Sequence, residues 1–150
     1  MELSDIQTIK EIDVKSFSLS YSSDVWEREK QNSLSRTLVA LHDREGGVRE
    51  LCGYLNFWII LDEAEIHRLA VKKEYRRSGV AAKLLQEMFG YLHDKGIVSV
   101  RLEVRQSNHE AIKLYEKFGF MIKGRRRGYY QETGEDALVL EVDPKPIKKT

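Results

Sequence analysis

Residues 75–85 read YRRSGVAAKLL. Arg76 and Arg77 lead through Ser78 to Gly79, and an apolar helical pattern begins at Val80. These residue types in this order are suited to holding an anion. The first turn of a helix leaves four backbone N–H groups unpaired and carries about half a positive charge. A helix that follows a strand is therefore a ready-made phosphate site. Gly79 removes the β-carbon where a phosphate would approach the backbone. Ala81 and Ala82 keep the first turn slim, and the two guanidinium groups add formal charge. The order fits neither G-x-x-x-x-G-K-S/T nor G-x-G-x-x-G, which argues against a P-loop nucleotidase and against a dinucleotide enzyme. Taken alone, one glycine beside two arginines also suits an ordinary solvated loop.

The elements that must position this loop follow from periodicity. Ser4 and Gln7 form an S-x-x-Q capping box, and Ile6, Ile9 and Ile12 recur at helical spacing, which predicts a helix over about 4–15. Residues 16–24, SFSLSYSSD, have no period and read as a loop. Ser23 or Asp24 caps a second helix to about Asn32. Residues 37–43 and 48–61 read as a hairpin joined by REGG, with Gly53 suggesting a bulge. Residues 64–71 form a further strand. Val80, Leu84, Leu85, Met88, Tyr91 and Leu92 share one helix face, which Gly96 ends. Residues 97–104 are a strand rich in β-branched residues. Ser107 or Asn108 caps a helix that carries Ile112, Tyr115 and Phe118 on one side and stops at Gly119. FMIKGRRRGYY and EDALVLEV pair as a final antiparallel hairpin, and the tail after residue 143 is expected to fray. The pattern is that of a mixed α/β protein, read as one domain over 1–143 with a tail at 144–150.

Composition narrows the function classes. The 150 residues are 41% hydrophobic and 33% charged, with a net charge of +1. No global field draws such a chain to nucleic acid or to an anionic membrane. Its one cysteine, Cys52, allows no internal disulfide, suits a reducing compartment and reads as a buried, inert thiol. No apolar run approaches the roughly 20 residues of a membrane span, and no signal-peptide pattern opens the chain. A cytoplasmic location is the default expectation.

RRSGVA, residues 76–81, resembles the R/Q-x-x-G-x-G/A signature of the GCN5-related N-acetyltransferases, the GNAT superfamily. LAV at 69–71, LEVRQSNHEAIKLYEKFGF at 102–120 and GRRRGYY at 124–130 resemble the branch that acetylates protein N-termini, which includes the ribosomal-protein alanine acetyltransferases. The resemblance is strong over about 53–142 and weak before it. It implies the GNAT fold: a mixed, mostly antiparallel central sheet flanked by about four helices, whose first strand must here be very short. It implies acetyl-CoA as acetyl donor and no metal. The donor's pyrophosphate is expected on Arg76, Arg77, Ser78, Gly79, Val80, Ala81 and Ala82. Its pantetheine is expected along the backbone of Leu69, Ala70 and Val71, with Asn108 nearby.

Acetyl transfer from a thioester needs a neutral amine, a polarised carbonyl and a proton for the leaving thiolate. An α-amine titrates near 8 and lysine near 10.4, so at pH 7 about a tenth of the former is neutral against well under a thousandth of the latter. The resemblance assigns Glu103 as general base; a structural reading pairs it instead with Arg101 and Arg105, two residues away on either side. Glu65 matches the base of the histone acetyltransferase branch, with exposure at a strand edge as its plain alternative. His67, two residues on, is a candidate water-mediated relay, although a structural histidine is the simpler reading. Tyr115 matches the family's general acid, a phenol able to protonate a thiolate; on periodicity alone it is a core residue. A backbone N–H near Leu69 is expected to polarise the thioester carbonyl.

For the acceptor, Tyr129 and, more weakly, Tyr130 match a hairpin that clamps a peptide N-terminus. Phe17, Leu19 and Tyr21 are expected to line the pocket for its first residue. Arg125, Arg126 and Arg127 suit an acidic peptide, a ribose phosphate or a plain solvated charge run. The 17–23 loop carries neither the LPENY-like nor the F-P-x-P-W pattern of relatives, so the preferred first residue stays open. The expected partners are protein or peptide N-termini, ribosomal proteins among them, with no nucleic acid or membrane, and a monomer or weak homo-oligomer. Rival readings are a lysine or small-amine acetyltransferase, a non-catalytic coenzyme-A-binding module, and a nucleic-acid binder. Glu103 with Tyr115 argues against the second, and the near-neutral charge against the third.

Overall fold

The computed structural model describes residues 3–17 and 23–144. In chain order they form α1 (Leu3–Ser16), α2 (Ser23–Gln31), β1 (Ser35–Asp43), β2 (Arg49–Ile60), β3 (Glu63–Val71), α3 (Val80–Asp94), β4 (Ser99–Arg105), α4 (His109–Lys117), β5 (Met121–Tyr130) and β6 (Glu135–Val142), with short 3-10 turns at Glu45–Gly47 and Lys73–Tyr75. Hydrogen bonding orders the strands β1-β2-β3-β4-β6-β5. The β1–β2, β4–β6 and β6–β5 pairs are antiparallel, and β3 runs parallel to β4. This is the expected mixed, mostly antiparallel sheet with four flanking helices. Among the described residues no strand precedes α1.

Two compact units make up the chain: Met1–Ile59 with His67–Met88, and Ile60–Ile66 with Phe89–Thr150. In the first, Ile6, Ile9 and Ile12 of α1 cluster with Trp26, Leu51, Tyr54 and Ala70. Each such buried side chain contributes roughly 1.5–3 kcal/mol relative to exposure. The register of β1 and β2 passes from Ala40↔Gly53 to Leu41↔Leu51. Cys52 is thus the extra residue of a bulge beside Gly53, where one was expected. The bulge matters because strand side chains alternate faces: it lets Leu51 and Tyr54 join the same cluster. Cys52 is buried and donates to the Ala40 carbonyl, and burial pushes its thiol upward, in keeping with an inert sulfur. Gly53 meets a second constraint, since a β-carbon there would lie 3.0 Å from the Ala70 carbonyl oxygen, 3.2 Å from Val80 Cγ1 and 3.3 Å from Val71 Cγ2.

One buried carboxylate in this unit is held from two sides. Asp13 is fully buried and accepts from the Tyr54 hydroxyl at 2.5 Å and from Arg68 Nη1 at 2.8 Å. Ser4 lies one residue inside α1, and the Gln7 amide reaches forward to Glu11.

In the second unit, the parallel ladder runs from Glu63↔Ser99 to Ile66↔Leu102. Val100, Leu102 and Val104 on β4 are buried, as are Ala137 to Leu140 on β6. Phe89 stacks on Phe118 at 5.7 Å between ring centroids and meets Phe120 at 5.9 Å. Asn108 rather than Ser107 caps α4, accepting from the Ala111 N–H at 3.2 Å.

Candidate active site

In the first unit the junction between β3 and α3 leaves backbone donors open at the helix start. The first intrahelical bond of α3 runs from Lys83 N–H to the Gly79 carbonyl, so the N–H groups of Val80, Ala81 and Ala82 have no acceptor within the helix. Gly79 has φ of +84°, and no atom lies within 4 Å of where its β-carbon would be. Arg77 also takes a positive φ, +64°, a conformation that costs an ordinary residue roughly 1–2 kcal/mol. Room, unpaired donors and small side chains fit a pyrophosphate. The Ser78 hydroxyl donates to the Tyr75 carbonyl. Arg76 folds back: its Nε donates to the Val71 carbonyl at 3.0 Å, so this guanidinium closes the end of β3 in the structure. Ala70 and Val71 are buried, and Leu69 is half-buried.

At the end of α1, the Arg68 guanidinium sits 4.3 Å over the Phe17 ring, and Arg68 is itself held by Asp13. Leu19 and Tyr21 lie outside the described residues. His67 stacks on Trp58 at 4.6 Å, as a structural histidine would.

In the second unit the titratable groups gather on β3, β4 and β5. Glu103 does not pair with Arg101 or Arg105. Its Oε1 meets Arg126 Nε at 3.0 Å, and the same guanidinium lies 5.5 Å from the centre of the Tyr129 ring. Glu103, then burial, pushes the Tyr129 phenol above its ordinary range, with a smaller contribution from the charge of Glu65. Glu65 stands opposite Arg101 in the parallel ladder and is exposed. Arg105 is drawn away to the β5–β6 turn, where it meets Glu132, Thr133 and Glu135. It also lies 3.9 Å over the Tyr130 ring. Tyr130 and Tyr129 meet edge to face at 5.2 Å. Burial pushes the Tyr130 phenol up, while Arg105 opposes that shift. Arg125 pairs with Asp136, so two of the three consecutive arginines are engaged within the protein. Sequence reasoning missed Arg126 on Glu103 because the run RRR carries no sign of which arginine turns toward β4, and Arg105 on Tyr130 because the two lie on different strands.

Tyr115, in the last turn of α4, is buried and meets Phe120 edge to face at 5.4 Å. Burial alone pushes its phenol well above the ordinary range, so it stays protonated at any working pH and has a proton to give. Among the described residues, no group of three or more His, Cys, Asp or Glu is placed to hold a metal ion, and no helix is long and apolar enough to cross a membrane.

Residues 6–120 match the Acetyltransferase (GNAT) family, and the chain belongs to it. It is an acetyl-CoA-dependent N-acetyltransferase. Over 143 residues it is 36% identical to a Bacillus subtilis (strain 168) protein named "Putative ribosomal protein bS18-alanine N-acetyltransferase", covering 95% of this chain and 91% of that one. It is 40% identical over 84 residues to the ribosomal protein bS18-alanine N-acetyltransferase of Escherichia coli (strain K12), which is 55% of this chain and 57% of that enzyme. The crystal structure of the ribosomal-protein-S18-alanine N-acetyltransferase from Escherichia coli matches with a TM-score of 0.84 at 26% identity, covering 99% of this chain and 94% of that chain.

Proposed function

We propose that this enzyme acetylates the N-terminal α-amine of proteins, ribosomal proteins among them. The observation that carries the reading is Arg126, whose Nε meets Glu103 Oε1 at 3.0 Å while its guanidinium lies 5.5 Å from the centre of the Tyr129 ring. It brings the residue assigned to clamp a peptide N-terminus beside the residue assigned to take that terminus's proton. Similarity along nearly the whole chain to a protein named for bS18-alanine acetylation supports it.

The reaction runs as one displacement. Glu103 takes a proton from the amine, directly or through water, and Glu65 assists. The nitrogen bonds to the acetyl carbonyl carbon, whose developing oxyanion is met by a backbone N–H near Leu69. The carbon–sulfur bond breaks, and the Tyr115 hydroxyl protonates the departing thiolate. The cradle at Arg77–Ala82 holds the donor's pyrophosphate, and the backbone of Leu69–Val71 pairs with its pantetheine in the manner of an added strand. An α-amine suits this machinery because its deprotonation near pH 7 costs about 3 kcal/mol less than lysine's.

The test is transfer of labelled acetyl groups from acetyl-CoA to peptides that differ only in their first residue. Each is run beside a copy with a blocked N-terminus and an internal lysine. Label is expected on free N-termini and absent from the blocked copies. Label on the blocked copies at an equal rate would make the enzyme a lysine acetyltransferase, and none on either would remove peptides as acceptors.

A further inference from the structure

The cradle loop, residues 72–79, has little packing of its own. Residues 73, 74 and 76–79 are exposed, and Lys72 and Tyr75 are half-buried. Its internal bonds are local: Tyr75 N–H to the Lys72 carbonyl at 2.9 Å, Arg76 N–H to the Lys73 carbonyl at 3.3 Å, and the Ser78 hydroxyl to the Tyr75 carbonyl. A positive φ at Arg77 persists only where surrounding contacts over-determine it. Beside the bond from the Lys72 N–H to the Cys52 carbonyl at 2.7 Å, the turn that leads to Arg77 is tied to β2 by Glu50. Its Oε1 accepts from Lys72 Nζ at 3.0 Å. Its Oε2 accepts from the Tyr75 hydroxyl at 2.5 Å and meets Arg44 Nε at 2.7 Å. The Tyr75 ring also packs 5.1 Å from that of His42, the residue opposite Glu50 in the β1–β2 ladder. One carboxylate anchored in a strand thus fastens both ends of the 3-10 turn that leads into the cradle.

We propose that Glu50 is a positioning residue for the acetyl donor: it fixes the Lys72–Tyr75 turn to β2 and so holds the start of α3 where its N–H groups can receive the donor's pyrophosphate. This rests on the cradle assignment above. The geometry carries a second consequence. Lys72 and Arg44 direct their charge at Glu50 rather than at the donor, so phosphate affinity rests on the backbone donors whose placement the network controls. The carboxyl of Glu50 is held below its ordinary range, first by the Tyr75 hydroxyl and then by Lys72, so the network is charged at neutral pH.

The experiment compares two donors, acetyl-CoA and S-acetylpantetheine, which lacks the pyrophosphate, in wild type, Glu50→Gln and Tyr75→Phe. Coenzyme A binding is also measured by calorimetry, which needs no acceptor. In Glu50→Gln the KM for acetyl-CoA and the Kd for coenzyme A are expected to rise about tenfold, since small misplacements of a binding group carry large penalties. The KM for S-acetylpantetheine and the kcat at saturating donor are expected to hold. The melting temperature should fall by no more than about 3 °C, because exposed ion pairs add little stability. Tyr75→Phe should give the same split in smaller measure, and it keeps the proposal testable if Glu50→Gln folds poorly. An equal rise in KM for both donors would show Glu50 acting on the fold at large and overturn the proposal. A wild type that prefers acetyl-CoA beside a Glu50→Gln with unchanged donor constants overturns it while sparing the cradle. A wild type indifferent to the pyrophosphate overturns the cradle and the role of Glu50 together.

Discussion

Tyr115 and Glu103 face opposite demands, and their surroundings differ accordingly. Tyr115 is enclosed by apolar neighbours, and burial pushes its phenol upward, because a low-polarity site disfavours the phenolate. The neutral form therefore persists past the ordinary phenol range near 10, and the alkaline side of the rate profile should show no loss from Tyr115 below about pH 10. Tyr115→Phe keeps the ring against Phe120 and removes only the hydroxyl. Turnover should drop at least about tenfold, the lower edge of what a positioned acid contributes, with coenzyme A binding nearly unchanged. Stopped-flow measurement of the chemical step checks this, and an unaltered step would leave Tyr115 a packing residue. Glu103, by contrast, has a charged partner in Arg126. Glu103→Gln is expected to slow the reaction about tenfold or more near pH 7. Part of that loss should return near pH 9, where the substrate amine is already neutral. Glu65→Gln should follow the same course more weakly. The pH–rate profiles of both variants on one peptide decide it: greater damage from Glu65→Gln reverses the two roles, and profiles that overlay wild type give the proton to solvent.

At the scale of elements, two glycines serve the junction of β2, β3 and α3 for different reasons. Gly53 is there for closeness: a methyl group would press on the Ala70 carbonyl oxygen at 3.0 Å and on Val71 and Val80. Two of those three residues are backbone-fixed parts of the proposed donor path, and Val80 begins α3. Gly79 is there for its φ of +84°, with open space around it. Gly53→Ala should therefore destabilise the free protein by about 1–3 kcal/mol, as overpacking does, and raise the KM for acetyl-CoA as the strand shifts. Gly79→Asp should cost the free protein only about 1 kcal/mol, since Asp tolerates the left-handed region better than most residues. It should nonetheless cancel the rise in melting temperature that acetyl-CoA gives wild type, because a carboxylate then occupies the phosphate position. Thermal unfolding of both variants with and without acetyl-CoA checks the pair. A Gly79→Asp that acetyl-CoA still stabilises like wild type would move the phosphate site elsewhere.

Across the whole chain, the elements were legible because periodicity reports burial directly. The isoleucines of α1, the alternation on β4 and the apolar face of α3 each record one side turned from water, and their ends lie within a few residues of expectation. The start of α3 was legible for the same kind of reason: a glycine, two alanines and the first turn of the helix are contiguous in the chain. Failures came where partners are distant in sequence. The plain reading of Glu103 against the arginines two positions away gives way to Arg126 on β5, while Arg105 turns to Glu132; neighbours at that spacing on a strand stand nearly 7 Å apart. Arg76 places its Nε on the Val71 carbonyl, a contact that its position in the signature does not announce. Nothing in REL at 49–51 announces that Glu50 will join Lys72, Tyr75 and Arg44. By itself the sequence determined the order and type of the elements, the family signature and the residues able to do acid, base and anion chemistry, because those depend on spacing along one element. Only the tertiary structure decided which arginine answers which carboxylate and which glycine is forced by contact, because long charged side chains choose partners by geometry across strands, and no local pattern encodes that choice.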